Sequence, residues 1–317
     1  MNIANPYMSA SSPAEVRNIK LRRWASAASL SVALILIVTK FIAYMITDSV
    51  SVMTSLMDST FDAVASAVTM LSIIHAATPA DEEHRFGHGK LEALSALGQA
   101  IFIFGSAGYL FFESVRRFIQ PQQVMEARIG IGVMLLSIVL TAGLIGFQRY
   151  VIRRTKSVAI RADHLHYSGD ILMNVCVLAA VSLSYYSRWP YFDPLFAAGI
   201  SLILLYNARE VGKESFGILM DKELSAADRA RIEALVKAHP AVRALHDLRT
   251  RYSGLQVFIE FHLELDGELS LKKAHDITEE LELVLYESFP KAEVLIHEEP
   301  AGIKDHRLDA VIGASAL

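Results

Sequence analysis

Two aspartates, Asp58 and Asp62, sit inside Val50–Ala77, an apolar stretch long enough to cross a bilayer as a helix. An aspartate at the middle of a membrane helix costs about 2.5–3.5 kcal/mol on insertion scales, so two in one span require a compensating role. A second polar intrusion, His166-Tyr-Ser-Gly-Asp170, opens the apolar run that ends near Ser187. In each intrusion the two side chains are four residues apart and share one face of a helix. Three carboxylates and one imidazole make a ligand set suited to a divalent transition metal such as zinc. Asp58, Asp62, His166 and Asp170 are therefore expected to form one intramembrane metal site.

Six apolar runs have membrane length: Trp24–Ile46, Val50–Ala77, Leu94–Ile119, Ile129–Val151, Ser168–Ser187 and Tyr191–Gly217. An even number of spans leaves both termini on one side. Arg and Lys cluster before the first span, between the second and third, between the fourth and fifth, and after the sixth. The opposite loops hold Arg116, Arg117, Arg128 and Arg188. The positive-inside rule then puts both termini in the cytoplasm. Ser55, Ser59, Ala63 and Ala67 form a small-residue stripe in the second span, one position along from the aspartates. Such a stripe permits close helix contact, so Asp58 and Asp62 are expected at the edge of a helix interface and not toward lipid. Lys40, near the far end of the first span, is expected to snorkel to the interface. The competing reading of the aspartates is an ion pair with Lys40 or Arg161.

Of the 317 residues, 53% are hydrophobic and 20% charged, but the charge is divided unevenly. Residues 1–218 hold 18 Lys and Arg against 15 Asp and Glu, whereas residues 219–317 hold 12 against 19. The first part reads as a membrane domain with basic loops, the second as a soluble acidic domain. Cys176 is the single cysteine and lies in an apolar run, which excludes an intrachain disulfide or a thiolate cluster and reads as a small buried hydrophobe. Met1–Val16 lacks the charged and apolar regions of a signal peptide and reads as a cytoplasmic tail.

From Asp221 onward the pattern is α+β. Ser225-Ala-Ala-Asp228 starts a helix expected to run to about Ala238. His246–Tyr252 and the alternating Leu255–Asp266 read as strands joined by Ser253-Gly254. Ser270–Ser288 reads as a helix and Ala292–His297 as a last strand. The order is αββαβ, an open sheet with helices on one face. Residues 1–20 and 301–317 are expected to be tails flanking a six-helix domain over 21–218 and a metal-binding, dimerising domain over 219–300.

Two further clusters carry ligand chemistry. Asp81, His84 and His88 lie within eight residues of one loop, with Gly87 and Gly89 allowing it to fold; the set reads either as a metal clasp or as an ordinary polar loop. In the acidic domain, His246, His262, His275, His297 and Glu299 each read alone as surface residues, and together they suggest metal binding. His297-Glu-Glu-Pro300 lacks the second histidine of HExxH, and no Walker loop or serine elbow is present, so no enzymatic activity is expected.

DSTFD, HRFGHGKLE, RADHLHYSGD and HDLRTR together resemble the cation diffusion facilitator family, near its bacterial ferrous-iron and zinc efflux branch, over about Trp24–Pro300. The resemblance implies a homodimer in the bacterial inner membrane, each protomer having six membrane helices and a cytoplasmic metallochaperone-like αββαβ domain. It implies a transport site at Asp58, Asp62, His166 and Asp170, a loop site at Asp81, His84 and His88, and a binuclear cytoplasmic site at His246, His262, His275 and His297. The family's last ligand there is usually aspartate, where this chain has Glu299. Lys90 and Asp221 match a pair that interlocks near the dimer interface in relatives. His166 resembles the zinc and cadmium type, and iron(II) accepts the same ligands. The expected function is proton-coupled export of zinc, with cadmium or iron(II) as further substrates; the alternative is a membrane metal sensor that binds without transport. Protons, the lipid bilayer and a second copy are the expected partners, and nucleic acid is not.

Overall fold

The computed structural model of the 317-residue chain describes residues 13–47, 50–119, 128–187, 191–254, 256–290 and 292–303. Two compact units divide between Phe216 and Gly217. The first is helical: α1 (Pro13–Thr47), α2 (Val50–Ala76), α3 (Lys90–Ile119), α4 (Arg128–Thr155), α5 (Val158–Ser187) and α6 (Phe192–Leu219). By length and composition, five of these helices can cross a membrane: α1, α2, α3, α4 and α6. The exception among the described residues is α5, whose first half carries Arg161, Asp163 and Asp170.

The helical unit is apolar outside and small or polar inside. Phe41, Ile42, Phe61, Phe104, Phe112 and Val139 are exposed, while Ser29, Ser59, Ser66, Ala33 and Ala63 are buried. Hydrophobic burial cannot hold such helices together in lipid, so small residues that let backbones approach, and hydrogen bonds between helices, do so instead. The most extensive helix pairing is α1 with α2, along the stripe that contains Ser59 and Ala63. A second apolar cluster joins α3 and α6 through Ile103, Ala107, Ile200, Leu204 and Ala208, with the half-buried Cys176 of α5 against it.

Two expectations differ from the structure. The tail expected over 1–20 ends earlier, because α1 begins at Pro13; residues 1–12 lie outside the described residues. Proline suits the first helical position, where its missing N–H would be unpaired anyway. Arg22, two residues beyond that expected tail, is buried and pairs with Glu92 of α3 at 2.9 Å. Ser157, just before α5, donates to the same carboxylate at 2.8 Å. Lys40 does not extend along α1 to an interface: its ammonium turns onto α2. The tail expected over 301–317 lies outside the described residues beyond Ile303.

The second unit holds α7 (Ala226–Lys237), β1 (Ala244–Ser253), β2 (Gln256–Leu265), α8 (Leu271–Ser288) and β3 (Ala292–Pro300). Ser225 caps α7 by accepting from the Asp228 N–H, and Ser270 caps α8 through the Lys273 N–H. The sheet order is β1-β2-β3, with β1 antiparallel and β3 parallel to β2. Gly254 turns the hairpin at φ 63°, a conformation that costs a residue with a side chain. Ile259, Phe261 and Leu263 of β2 are buried with Leu281 and Leu285 of α8 and Ile232 and Val236 of α7, which forms the core. β3 runs three residues further than its apolar pattern, to Pro300, and the Ala301 N–H continues the pairing onto the Leu265 carbonyl at 2.7 Å.

Candidate metal centres

Within the helical unit, α2 and α5 bring Asp62, His166 and Asp170 together. His166 Nε2 lies 2.8 Å from Asp62 Oδ1 and 3.8 Å from Asp170 Oδ2. Each of the three offers a ligand atom within 4.8 Å of the others. Tetrahedral zinc with bonds of about 2.1 Å places its ligand atoms roughly 3.4 Å apart, so these separations fit a metal with small adjustments. Asp58, one turn before Asp62, lines the same cavity but is exposed and stands outside the close cluster. The cavity measures about 360 Å³. Among the described residues, neither Asp58 nor Asp62 has an ion pair with Lys40 or Arg161; Arg161 pairs with Glu214 of α6.

Two cavity residues were missed in the sequence. Asn174 is four residues after Asp170, and that spacing was a usable signal. Lys40 comes from α1; the sequence reads it as snorkelling, with an ion pair to the aspartates only as the competing reading.

Beside the site, α5 is held by a buried polar node. Asp163, fully buried, accepts from Ser29 of α1 at 2.5 Å and from Gln148 of α4 at 2.8 Å. Ser66 of α2 is 3.5 Å from its other oxygen and 2.9 Å from the Tyr167 hydroxyl, which donates to the Ser29 carbonyl at 3.2 Å. Four helices therefore meet at one carboxylate, three residues before His166. Such a node fixes the rotation of α5 and hence which way His166 and Asp170 point.

The loop cluster sits between α2 and α3. The Asp81 carboxylate accepts from the backbone N–H of His84 at 2.6 Å and of Glu83 at 3.0 Å, which closes a turn. The His84 N–H chiefly, with the neighbouring His88 and the Glu83 N–H, holds this carboxyl below its ordinary range against desolvation. His84 Nδ1 and His88 Nε2 are each 3.4 Å from Asp81 oxygens, and their rings lie 4.5 Å apart. Gly87, at φ 73°, makes the bend between them. The three residues offer a second compact donor set.

In the second unit, strand register builds the third. His246 of β1 pairs with His262 of β2, and His262 pairs with His297 of β3. The ring separations along this row are 5.2 and 4.7 Å. Glu299 is the hub: His262 Nδ1 is 2.6 Å from it, and His246 Nε2 and His297 Nε2 are each 3.5 Å away. Among the described residues, neither nitrogen of the buried His246 has a hydrogen bond, although Nδ1 lies 3.4 Å from Glu264 and Nε2 3.5 Å from Glu299. An imidazole that is buried and unbonded costs free energy unless a ligand takes it. His246, His262 and Glu299 form the close set. His297 is exposed at its edge, and the exposed His275 on α8 faces Glu279 at 3.5 Å, outside that set. Asp221, matched by resemblance to an ion pair with Lys90, has Arg251 of its own unit at 3.3 Å.

Two family models match the chain: the cation efflux transmembrane domain over residues 26–220 and the cation efflux protein cytoplasmic domain over residues 224–301. The chain is 42% identical over 279 residues to a protein named cation-efflux pump FieF from Klebsiella pneumoniae subsp. pneumoniae, covering 88% of this chain and 93% of the relative. The same identity and coverage hold for the protein of that name from Salmonella arizonae. Among solved structures, the metal-bound C-terminal domain of the CzcD transporter from Thermotoga maritima is 30% identical, covering 26% of this chain and all of that one, with a TM-score of 0.24. The two family models and the 42% identity to the pumps show that the chain, with its helical membrane domain and small cytoplasmic α/β domain, belongs to the cation efflux, or cation diffusion facilitator, family, a family of transporters and not of enzymes.

Proposed function

We propose that this protein exports a divalent transition metal, zinc foremost, from the cytoplasm in exchange for protons. The observation that carries the reading is the Asp62–His166–Asp170 cluster at a cavity inside a bundle of membrane-length helices. Carboxylates and imidazole suit zinc and iron(II) and disfavour magnesium or calcium, which take oxygen alone. Cadmium and iron(II) are further substrates by the same donor set.

The imidazole links metal to protons. Its ordinary pKa is near neutrality, so a proton and a metal compete for the same Nε2. Asp62, Asp170 and the neighbouring Asp58 supply the anionic field that offsets a dication in low dielectric. Metal entering from the cytoplasm displaces protons, the bundle reorients, and protons from outside displace the metal. The protein acts as a homodimer in the inner membrane with both termini cytoplasmic. The domain over 219–300 binds metal at His246, His262, His275, His297 and Glu299 and joins the two copies. The loop set, Asp81, His84 and His88, takes metal at the domain's entrance to α3.

Zinc flux into proteoliposomes under an imposed pH gradient tests the reading. Uptake that scales with the gradient and collapses with an ionophore supports it. Metal-dependent conformational change without flux would make the protein a sensor instead.

A further inference from the structure

One charged side chain lines the intramembrane cavity without being a metal ligand. Lys40 donates from Nζ to Ser59 Oγ at 2.6 Å and to the Ser55 carbonyl at 3.0 Å. Both acceptors are on α2, where Ser59 adjoins Asp58 and precedes Asp62 by less than one turn. The same cavity is lined by Asp58, Asp62, His166 and Asp170. Those two oxygens take two of the ammonium's three hydrogens but carry no charge. Among the described residues, no carboxylate lies within ion-pair distance of Lys40, and the acidic groups acting on it are Asp62, Asp170 and Asp58. An ammonium in an apolar span is kept when something in the site needs it.

Resting on the transport reading above, we propose that Lys40 is a tethered counter-cation of the metal site: it opposes a bound dication, weakening its hold and speeding its release. The physical reason is Coulombic. At an effective dielectric of about 20, even a fixed unit charge about 12 Å from a dication weakens its binding by roughly a hundredfold, and solvent screening lowers that toward tenfold. A transport site must bind well enough to load and loosely enough to unload. Three carboxylates and an imidazole alone would hold zinc tightly. By anchoring its ammonium on α2, the chain keeps a positive charge beside the acids that cannot leave with the cargo.

The prediction has a distinctive sign. Losing a ligand raises half-saturating zinc, whereas losing a repelling charge lowers it. Lys40→Met preserves side-chain length and removes the charge. In proteoliposomes its half-saturating zinc is expected to fall about tenfold while maximal flux falls several-fold, and Lys40→Arg is expected to stay within about threefold of the parent. Where Lys40→Met does not fold, Lys40→Gln carries the same test. Equilibrium zinc binding in detergent, taken as the difference between each protein and its Asp170→Ala counterpart, reads the site without transport. Should the parent chain bind zinc but not move it, the transport reading fails, while tighter binding by Lys40→Met still supports the counter-cation. Unchanged or weaker zinc binding in Lys40→Met, or equal behaviour of the Met and Arg variants, would overturn the proposal.

Discussion

The membrane cluster and the cytoplasmic cluster use the same chemistry on different scaffolds. Asp62, His166 and Asp170 come from two helices, α2 and α5, that no backbone hydrogen bond joins. His246, His262 and Glu299 come from three hydrogen-bonded strands, with His246 opposite His262 just before a bulge in β1 and His262 opposite His297. Helices can slide or tilt past one another, whereas a ladder cannot shift by one residue without turning every side chain to the other face. The first arrangement suits a site that must change its exposure and release its metal. The second suits a site that binds and holds, as a regulatory or dimer-stabilising metal requires.

Substitutions can break this contrast. Asp170→Ala is expected to have the largest effect, lowering zinc flux by at least about a hundredfold because a ligand and a site charge are lost together. Asp163→Ala removes the carboxylate to which Ser29 and Gln148 donate and leaves the node only its weaker bonds to the Ala25 carbonyl, Ser29 Oγ and the Tyr167 hydroxyl, at about 1–3 kcal/mol. Its expected signature is a lower thermal midpoint in detergent, and an unchanged midpoint would remove the node from the account. Glu299→Ala should weaken zinc binding by the isolated 219–303 segment about ten- to a hundredfold, read by competition with a chelating dye, if that segment folds in circular dichroism. Flux by the full chain should change far less.

The smallest effect concerns the loop. The folded-state pKa of Asp81 is depressed, so the contacts of its carboxylate are present above its ordinary pKa and are lost as pH falls through the lowered value. Amide exchange at Glu83 and His84 should stay slow well into the acid range, and Asp81→Ala should make it fast at neutral pH.

Much of this was legible in the sequence, for identifiable reasons. Apolar runs located the six helices because bilayer thickness sets their length, and period-2 alternation located β2. The i,i+4 pairs pointed to Asp62, His166 and Asp170, which the structure brings together, because helix geometry fixes which side chains share a face, while Asp58 stays outside that set. The partners of buried polar groups were not legible. Ser29 and Asp163 lie 134 residues apart and meet only through packing of α1 on α5. Lys40 read as a snorkelling lysine because its own span carries no sign of Ser55 and Ser59. Glu299 looked like a departure from the family's usual aspartate, yet its longer arm reaches His246, His262 and His297 from one strand position. Asp163 did leave a trace, standing three residues before His166 and so near the same helix face.

The contrast between the two clusters rests on which of them moves metal. The most direct measurement is initial zinc flux into proteoliposomes under one fixed pH gradient, comparing Asp170→Ala with Glu299→Ala at equal protein incorporation. Asp170→Ala is expected to lose flux to the level of empty vesicles while Glu299→Ala keeps most of it at saturating zinc. Parent-level flux in Asp170→Ala, or abolished flux in a folded Glu299→Ala, would contradict that contrast.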